Sequence, residues 1–273
     1  MFGLLSALAW GASDFSGGLA SRRTPALGVV FVSQIIGGVL AIGLALIRGE
    51  QALDPSDAGW AILAGIAGPS ALVCFYRALA IGRMGVVAPV SGLLGAAIPV
   101  GVAAVTQGLP SAPQLIGIVV ALLAMVLVTR SVQPAESGSS GIGLAILAGI
   151  GFGAFFVFIA QVGPHEVFWP LVVVRLTAGI GFGILLLVTR TPWRPGRSVT
   201  GLVVIAGILD MGGNVWFLLA SQQGRLDIAA VLTSLYPVVT TVLAAVLLRE
   251  RMGRTQAAGI GAAIIAIVLI GSG

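Results

Sequence analysis

Lysine is absent from this 273-residue chain, and cysteine and histidine occur once each. Without lysine there is no Gly-rich phosphate loop of the Lys-containing kind, so nucleotide hydrolysis by that device is excluded. The single Cys74 excludes an internal disulfide and a cysteine metal cluster; its apolar surroundings read as packing. The single His165, beside Glu166, has no further ligand near it in sequence, so no metal site and no cofactor is expected. No His-Glu-x-x-His, Gly-x-Ser-x-Gly or Asp-rich metal motif occurs, which weighs against an intramembrane enzyme. Charge is scarce as well: 8% of residues, against about 25% in a soluble domain.

What is present is apolar. Hydrophobic residues make up 58% and the mean hydropathy is +1.11, more than a water-soluble fold can cover. The 40 Gly and 13 Pro follow no collagen period, and so apolar a chain does not stay disordered. An all-α integral membrane protein remains. Apolar runs fall near 3–20, 26–47, 58–80, 85–107, 113–130, 141–161, 167–189, 199–221, 227–248 and 255–271. A span needs about 20 residues, so ten leave no room for a separate soluble domain. The first run has no Arg before it and is interrupted by Asp14, so it reads as a retained span and not a cleaved signal.

All 14 basic residues are Arg, scattered between the runs. They form no basic stripe with interleaved aromatics, so no nucleic-acid partner is expected. They are instead distributed unequally between loops. Eleven belong to odd-numbered loops (Arg22, Arg23, Arg77, Arg83, Arg130, Arg190, Arg194, Arg197, Arg249, Arg251 and Arg254), and only Arg48 and Arg225 to even-numbered ones. The positive-inside bias then predicts odd loops in the cytoplasm and both termini outside. The location expected is the inner (plasma) membrane of a prokaryotic cell.

The polar stretch from Ser131 to Ser140 reads as a linker between like halves: 1–131 a first repeat of five spans, 132–140 the linker, 141–273 a second repeat. At an offset of 142, Phe75 faces Phe217, Gly82-Arg83 faces Gly224-Arg225, Gln114 faces Gln256 and Gly117 faces Gly259. At an offset of 140, Gly11 faces Gly151 and Phe15 faces Phe155. Five spans per repeat is an odd number, so the second must enter the membrane inverted. Inverted repeats place a site near the bilayer midplane, where the repeats meet.

The pattern resembles the EamA branch of the drug/metabolite transporter superfamily. The resemblance rests on Trp10-Gly11, on Arg175, and on the run from Ala229 through Tyr236-Pro237 to Val239. It continues through Leu247-Leu248-Arg249-Glu250-Arg251 to Gln256 and Gly259. It departs from the family pattern at Arg249, where a Gly is usual. It also departs in the first repeat, with Gln107-Gly108-Leu109 in the corresponding loop and Gly95 where the second repeat has Pro237. The resemblance implies ten helices in two five-helix repeats and transport of a small metabolite or drug-like solute.

Three ionisable residues lie deep in apolar runs: Asp14, Arg175 and Asp210. A charge at the bilayer centre costs about 2.5–3.5 kcal/mol on insertion scales, so each needs a reason. Arg77 lies near the end of its run and can snorkel to the headgroups. Trp10 and Asp14 are four apart and share a helix face. Asp210, Asn214, Phe217 and Ser221 form a polar and aromatic stripe at helical spacing. Thr233, Ser234 and Tyr236 add hydroxyls, though such groups also bond their own helix. The expected substrate-binding residues are Trp10, Asp14, Arg175, Asp210, Asn214, Phe217 and Tyr236. A carboxyl in low dielectric resists ionisation unless a cation is near, so one aspartate, Asp14, is expected to exchange a proton while Asp210 pairs with Arg175. A secondary transporter working by alternating access fits these features best, with a small solute, the bilayer and a proton as partners. A channel or passive scaffold, or an intramembrane enzyme, remain the alternatives.

Overall fold

The computed structural model describes residues 1–51, 53–82, 84–129, 141–163, 166–249 and 252–272. The expected 132–140 linker and Arg83, Arg130, His165, Glu250 and Arg251 lie outside the described residues. Within these limits the chain is all helical: α1 (Phe2–Ser21), α2 (Ala26–Arg48), α3 (Pro55–Ile81), α4 (Met84–Thr106), α5 (Ala112–Thr129), α6 (Ile142–Ile159), α7 (Phe168–Thr189), α8 (Arg197–Gln223), α9 (Leu226–Thr233), α10 (Tyr236–Leu247) and α11 (Arg254–Gly271). Eight apolar helical segments are long enough to cross a bilayer, with 226–247 taken as one. The α5 segment Ala112–Val128 is shorter, and the 20-residue α1 is diluted by four serines and Asp14.

The ninth run is not one helix. Pro237 has no N–H to offer the Thr233 carbonyl, and α9 closes in a turn at Ser234-Leu235 before α10 begins. Leu235 N–H reaches only Leu232 O (3.3 Å), and Val238 N–H returns to Leu235 O (2.9 Å). Pro69 in α3 and Pro89 and Pro99 in α4 sit within continuous helices.

The two repeats interleave. Helix α1 packs on α8, α3 and α4 on α6, α2 on α7, and α5 on α11. The last pair is reciprocal. A Cβ on Gly117 of α5 would stand 2.7 Å from Ile270 Cγ1 and 3.1 Å from Ala266 O. One on Gly259 of α11 would stand 2.7 Å from Val128 Cγ2 and 2.8 Å from Ala124 O. Gly117/Gly259, Ala124/Ala266 and Val128/Ile270 are all pairs at the offset of 142. Each helix thus presents to the other the surface it receives, as in a twofold contact between identical subunits. The α1–α8 seam is polar: Ser6 Oγ donates to Gly213 O and Ser13 Oγ to Ala206 O, both at 2.8 Å.

The ends of the bundle differ. At the even-loop end, Glu50 caps α7 from outside that helix. Its Oε2 accepts from Phe168 N (2.8 Å) and Trp169 N (3.2 Å), its Oε1 from Val167 N (3.3 Å), and its carbonyl from Trp169 Nε1 (3.1 Å). These are three of the donors a helix start leaves open, met by a negative charge at the positive end of the helix dipole. Asp57 Oδ2 accepts from Gly163 N (3.0 Å), and Gln222 Nε2 donates to Gly163 O and Glu166 O. Arg225 donates to the carbonyls of Gln107 and Gly108 and pairs with Asp227 at 2.9 Å. Asp57 and Asp227 stand in the first turns of α3 and α9, where the helix dipole favours a negative charge. Glu166 Oε2 has no partner among the described residues. Burial, and then the charges of Asp57, Asp54 and Glu50, push its carboxyl above the usual range.

At the odd-loop end the closures are by packing. The Pro192–Trp193 backbone lies on Gly28, and the Trp193 ring meets Phe31 edge-on at 6.0 Å. Gly141 lies against Ala78 O. Arg194 covers the Trp193 ring at 4.9 Å. Among the described residues no arginine of this end is in an ion pair. Arg249, where the family pattern has Gly, sits at φ +54, a left-handed backbone that Gly adopts freely.

Candidate functional site

One buried charge is held by three helices. Arg175 of α7 is 4% exposed, and its Nη1 donates to Asp210 Oδ2 of α8 and to Gln34 Oε1 of α2, both at 2.6 Å. Glycines make room for it: a Cβ on Gly37 would lie 3.1 Å from Arg175 Nε. The ion pair answers the cost of burying either charge alone, since each desolvated ion keeps a partner. Arg175 Nε and Nη2 have no hydrogen-bond acceptor among the described residues. Asn214, one turn along α8, donates from Nδ2 to Asp210 O (2.6 Å) and Oδ1 (3.4 Å).

Asp14 is also buried, 5% exposed. Unlike Asp210, it receives no hydrogen bond or ion pair from any described residue. Trp10, one turn earlier on α1, donates from Nε1 to Asp210 O at 3.3 Å, and Gly213 lets its ring lie directly on α8. The seam between the repeats thereby brings the two carboxylates to one cavity.

That cavity is narrow, with about 40 Å³ of free volume, well below the roughly 300–1,000 Å³ of open small-molecule pockets. Six of the seven expected residues line it: Trp10, Asp14, Arg175, Asp210, Asn214 and Tyr236. Phe217 does not. It is fully buried behind the wall, stacked on Phe156 (4.5 Å between centroids) and Trp10 (6.0 Å). Its position seven residues after Asp210 gives the right side of the helix, but the rings in front of it take the surface. Ser221, further along the stripe, bonds its own helix at Leu218 O and lines nothing here.

Sequence reasoning missed Gln34 and the α6 rings Phe152, Phe155 and Phe156. Gln34 had a signal, a lone amide inside an apolar run. Phe155 had a weaker one, its match to Phe15. Phe152 and Phe156 had none, being aromatic residues in an aromatic run. The Tyr236 hydroxyl bonds Ser91 Oγ of α4 at 2.9 Å, which fixes the ring at the α9–α10 break. Of the other hydroxyls beside that break, Thr233 reaches Gly3 O (3.4 Å), and Ser234 Oγ is buried with no partner among the described residues. No group of metal-ligating side chains occurs among the described residues.

The chain has the fold of a solved protein that it matches at 18% identity and a TM-score of 0.74, over 99% of this chain and 96% of the other. No curated protein matches it. The profile of the EamA-like transporter family matches residues 1–130 and again residues 139–272. Two such matches, one per repeat, leave almost no residue outside them, and the chain belongs to the EamA-like transporter family.

Proposed function

We propose that this protein is a secondary transporter, not an enzyme, that carries a small organic solute through the central cavity by alternating access. Ten spans cross the membrane, with the second repeat inverted relative to the first, odd loops in the cytoplasm and both termini outside. The observation that carries the reading is the pair of unlike carboxylates facing one enclosed space. Asp210 is neutralised by Arg175, and Asp14 is left without a protein partner among the described residues. A fixed ion pair suits orientation of a polar solute, and a carboxylate free of protein donors suits exchange of a proton. Trp10, Tyr236 and the α6 rings supply apolar walls for the solute body, Asn214 a further polar contact, and Phe217 support from behind.

The test is counterflow in proteoliposomes, with the solute first found by a thermal-shift screen of metabolites. Saturable counterflow supports a carrier, whereas flux without saturation or counterflow points to a channel. Asp14→Asn is expected to fold, insert and lose the pH dependence of transport. Asp210→Asn is expected to weaken solute binding more than it alters the pH response. An unchanged pH profile in Asp14→Asn removes the coupling role, and failure of that variant to fold makes Asp14 structural. A reporter fused at the C-terminus that works only in the cytoplasm overturns the orientation.

A further inference from the structure

Helices α3 and α7 approach closely at Gly65. A Cβ on Gly65 would stand 2.8 Å from Thr177 Cβ and 2.9 Å from Val174 O. From that level toward the odd-loop end, two depressions that share Leu185 lie between the helices. On α3 the groove is lined by Ile66, Ser70, Val73 and Arg77, spaced by four, three and four residues along one face. On α7 Phe182, Leu185 and Val188 face it. Ile66 is 56% and Val188 76% exposed, whereas Phe182 is buried and Ala26 and Leu27 of α2 help to line the depression nearer the odd-loop end.

The groove changes character once. From Ile66 to Val73 its lining is apolar apart from Ser70 and Thr177, and then Arg77 stands exposed at its rim. Thr189 and Thr191 stand at the same rim, with Ser21, whose Oγ is buried without a partner among the described residues. Arg77 forms no ion pair among the described residues. The eleven residue steps from Ile66 to Arg77 rise about 16 Å, close to half of the roughly 30 Å hydrocarbon core. An apolar groove one leaflet deep, ending in an unpaired cation, matches an acyl chain joined to an anionic headgroup. Basic pockets between spans on the cytoplasmic side are suited to such headgroups.

We propose that the α3–α7 groove binds one anionic phospholipid, its phosphate at Arg77 and one acyl chain laid along Val73, Ser70 and Ile66. The site is separate from the central cavity, and the inference does not depend on what that cavity carries. The test is native mass spectrometry of the full chain in detergent, offered dioleoyl phosphatidylglycerol or dioleoyl phosphatidylcholine at equal concentration. One phosphatidylglycerol is expected to be retained in preference. Arg77→Gln should cut that retention about fivefold, and Arg77→Lys should largely keep it. Gly181→Phe grows a ring into the groove at a point where an added Cβ meets nothing within 4 Å, and it should displace either lipid. Arg197→Gln, an exposed arginine of the same end, should change nothing. Equal retention of the two lipids overturns the proposal. So does a preference that survives Arg77→Gln, or retention that survives Gly181→Phe. An equal loss in Arg197→Gln does so too, because it assigns the effect to diffuse charge.

Discussion

At the even-loop end, carboxylates and an arginine tie one loop to another through backbone groups, whereas the odd-loop end is closed by rings and glycine contacts and leaves its described arginines without ion pairs. The same residue chemistry serves different ends. A charge that finds backbone partners becomes a structural clamp; a charge left over becomes a label for one side of the membrane. Loop charges therefore have to be read by their partners, not by their number.

The largest expected effect from breaking the contrast is at Glu50. Glu50→Ala strips three N–H groups of α7 of their acceptor and should destabilise the protein by about 2 kcal/mol, the upper range for a helix cap. Thermal unfolding in detergent measures it, and Glu50→Gln should recover part of the loss. Arg225→Ala comes next. It frees the carbonyls of Gln107 and Gly108 and leaves Asp227 unpaired, for about 1–2 kcal/mol. Accelerated amide exchange at the start of α9 should accompany it. On the other end, Arg249→Gly should stabilise by about 1 kcal/mol, because it relieves a side chain from a left-handed backbone. A neutral or negative result there means that the Arg249 side chain holds a contact of its own.

The smallest effect concerns Glu166. Its carboxyl keeps its proton to higher pH when folded than when unfolded, so between the two values the folded chain binds more protons. Stability should therefore fall as pH rises from the ordinary value of about 4.3 through the raised one, and stay lower above it. Unfolding midpoints across this window should slope downward in the wild type and flatten in Glu166→Gln. The partly open position of this residue keeps the effect small.

The site was legible where burial is expensive. Asp14, Arg175 and Asp210 declared themselves because a charge in an apolar run demands a purpose, and the structure brings all three to one cavity. Gln34 carries no charge, so its part in holding Arg175 emerges only when α2 is seen beside α7. The α6 rings stand in a segment where every position is apolar, and no period marks which of them face inward. The even-end clamp at Glu50 was invisible for the opposite reason: it lies in a loop, where charge is ordinary. The repeat was legible from spacing, and the reciprocal contacts of Gly117 and Gly259 give it a physical meaning.

The break at Ser234-Leu235 has a counterpart that is whole. At the offset of 142, Gly92 answers to Ser234, Leu93 to Leu235 and Gly95 to Pro237, yet α4 runs unbroken through all three. Under the alternating access proposed above, such a difference between twins would define a second shape of the whole, in which they trade conformations. That trade would straighten α9 into α10 and bend α4 at Gly92-Leu93, beside Ser91, whose hydroxyl holds Tyr236. A spin-label distance across Gly92, compared with one across Ser234, would read both members of that exchange.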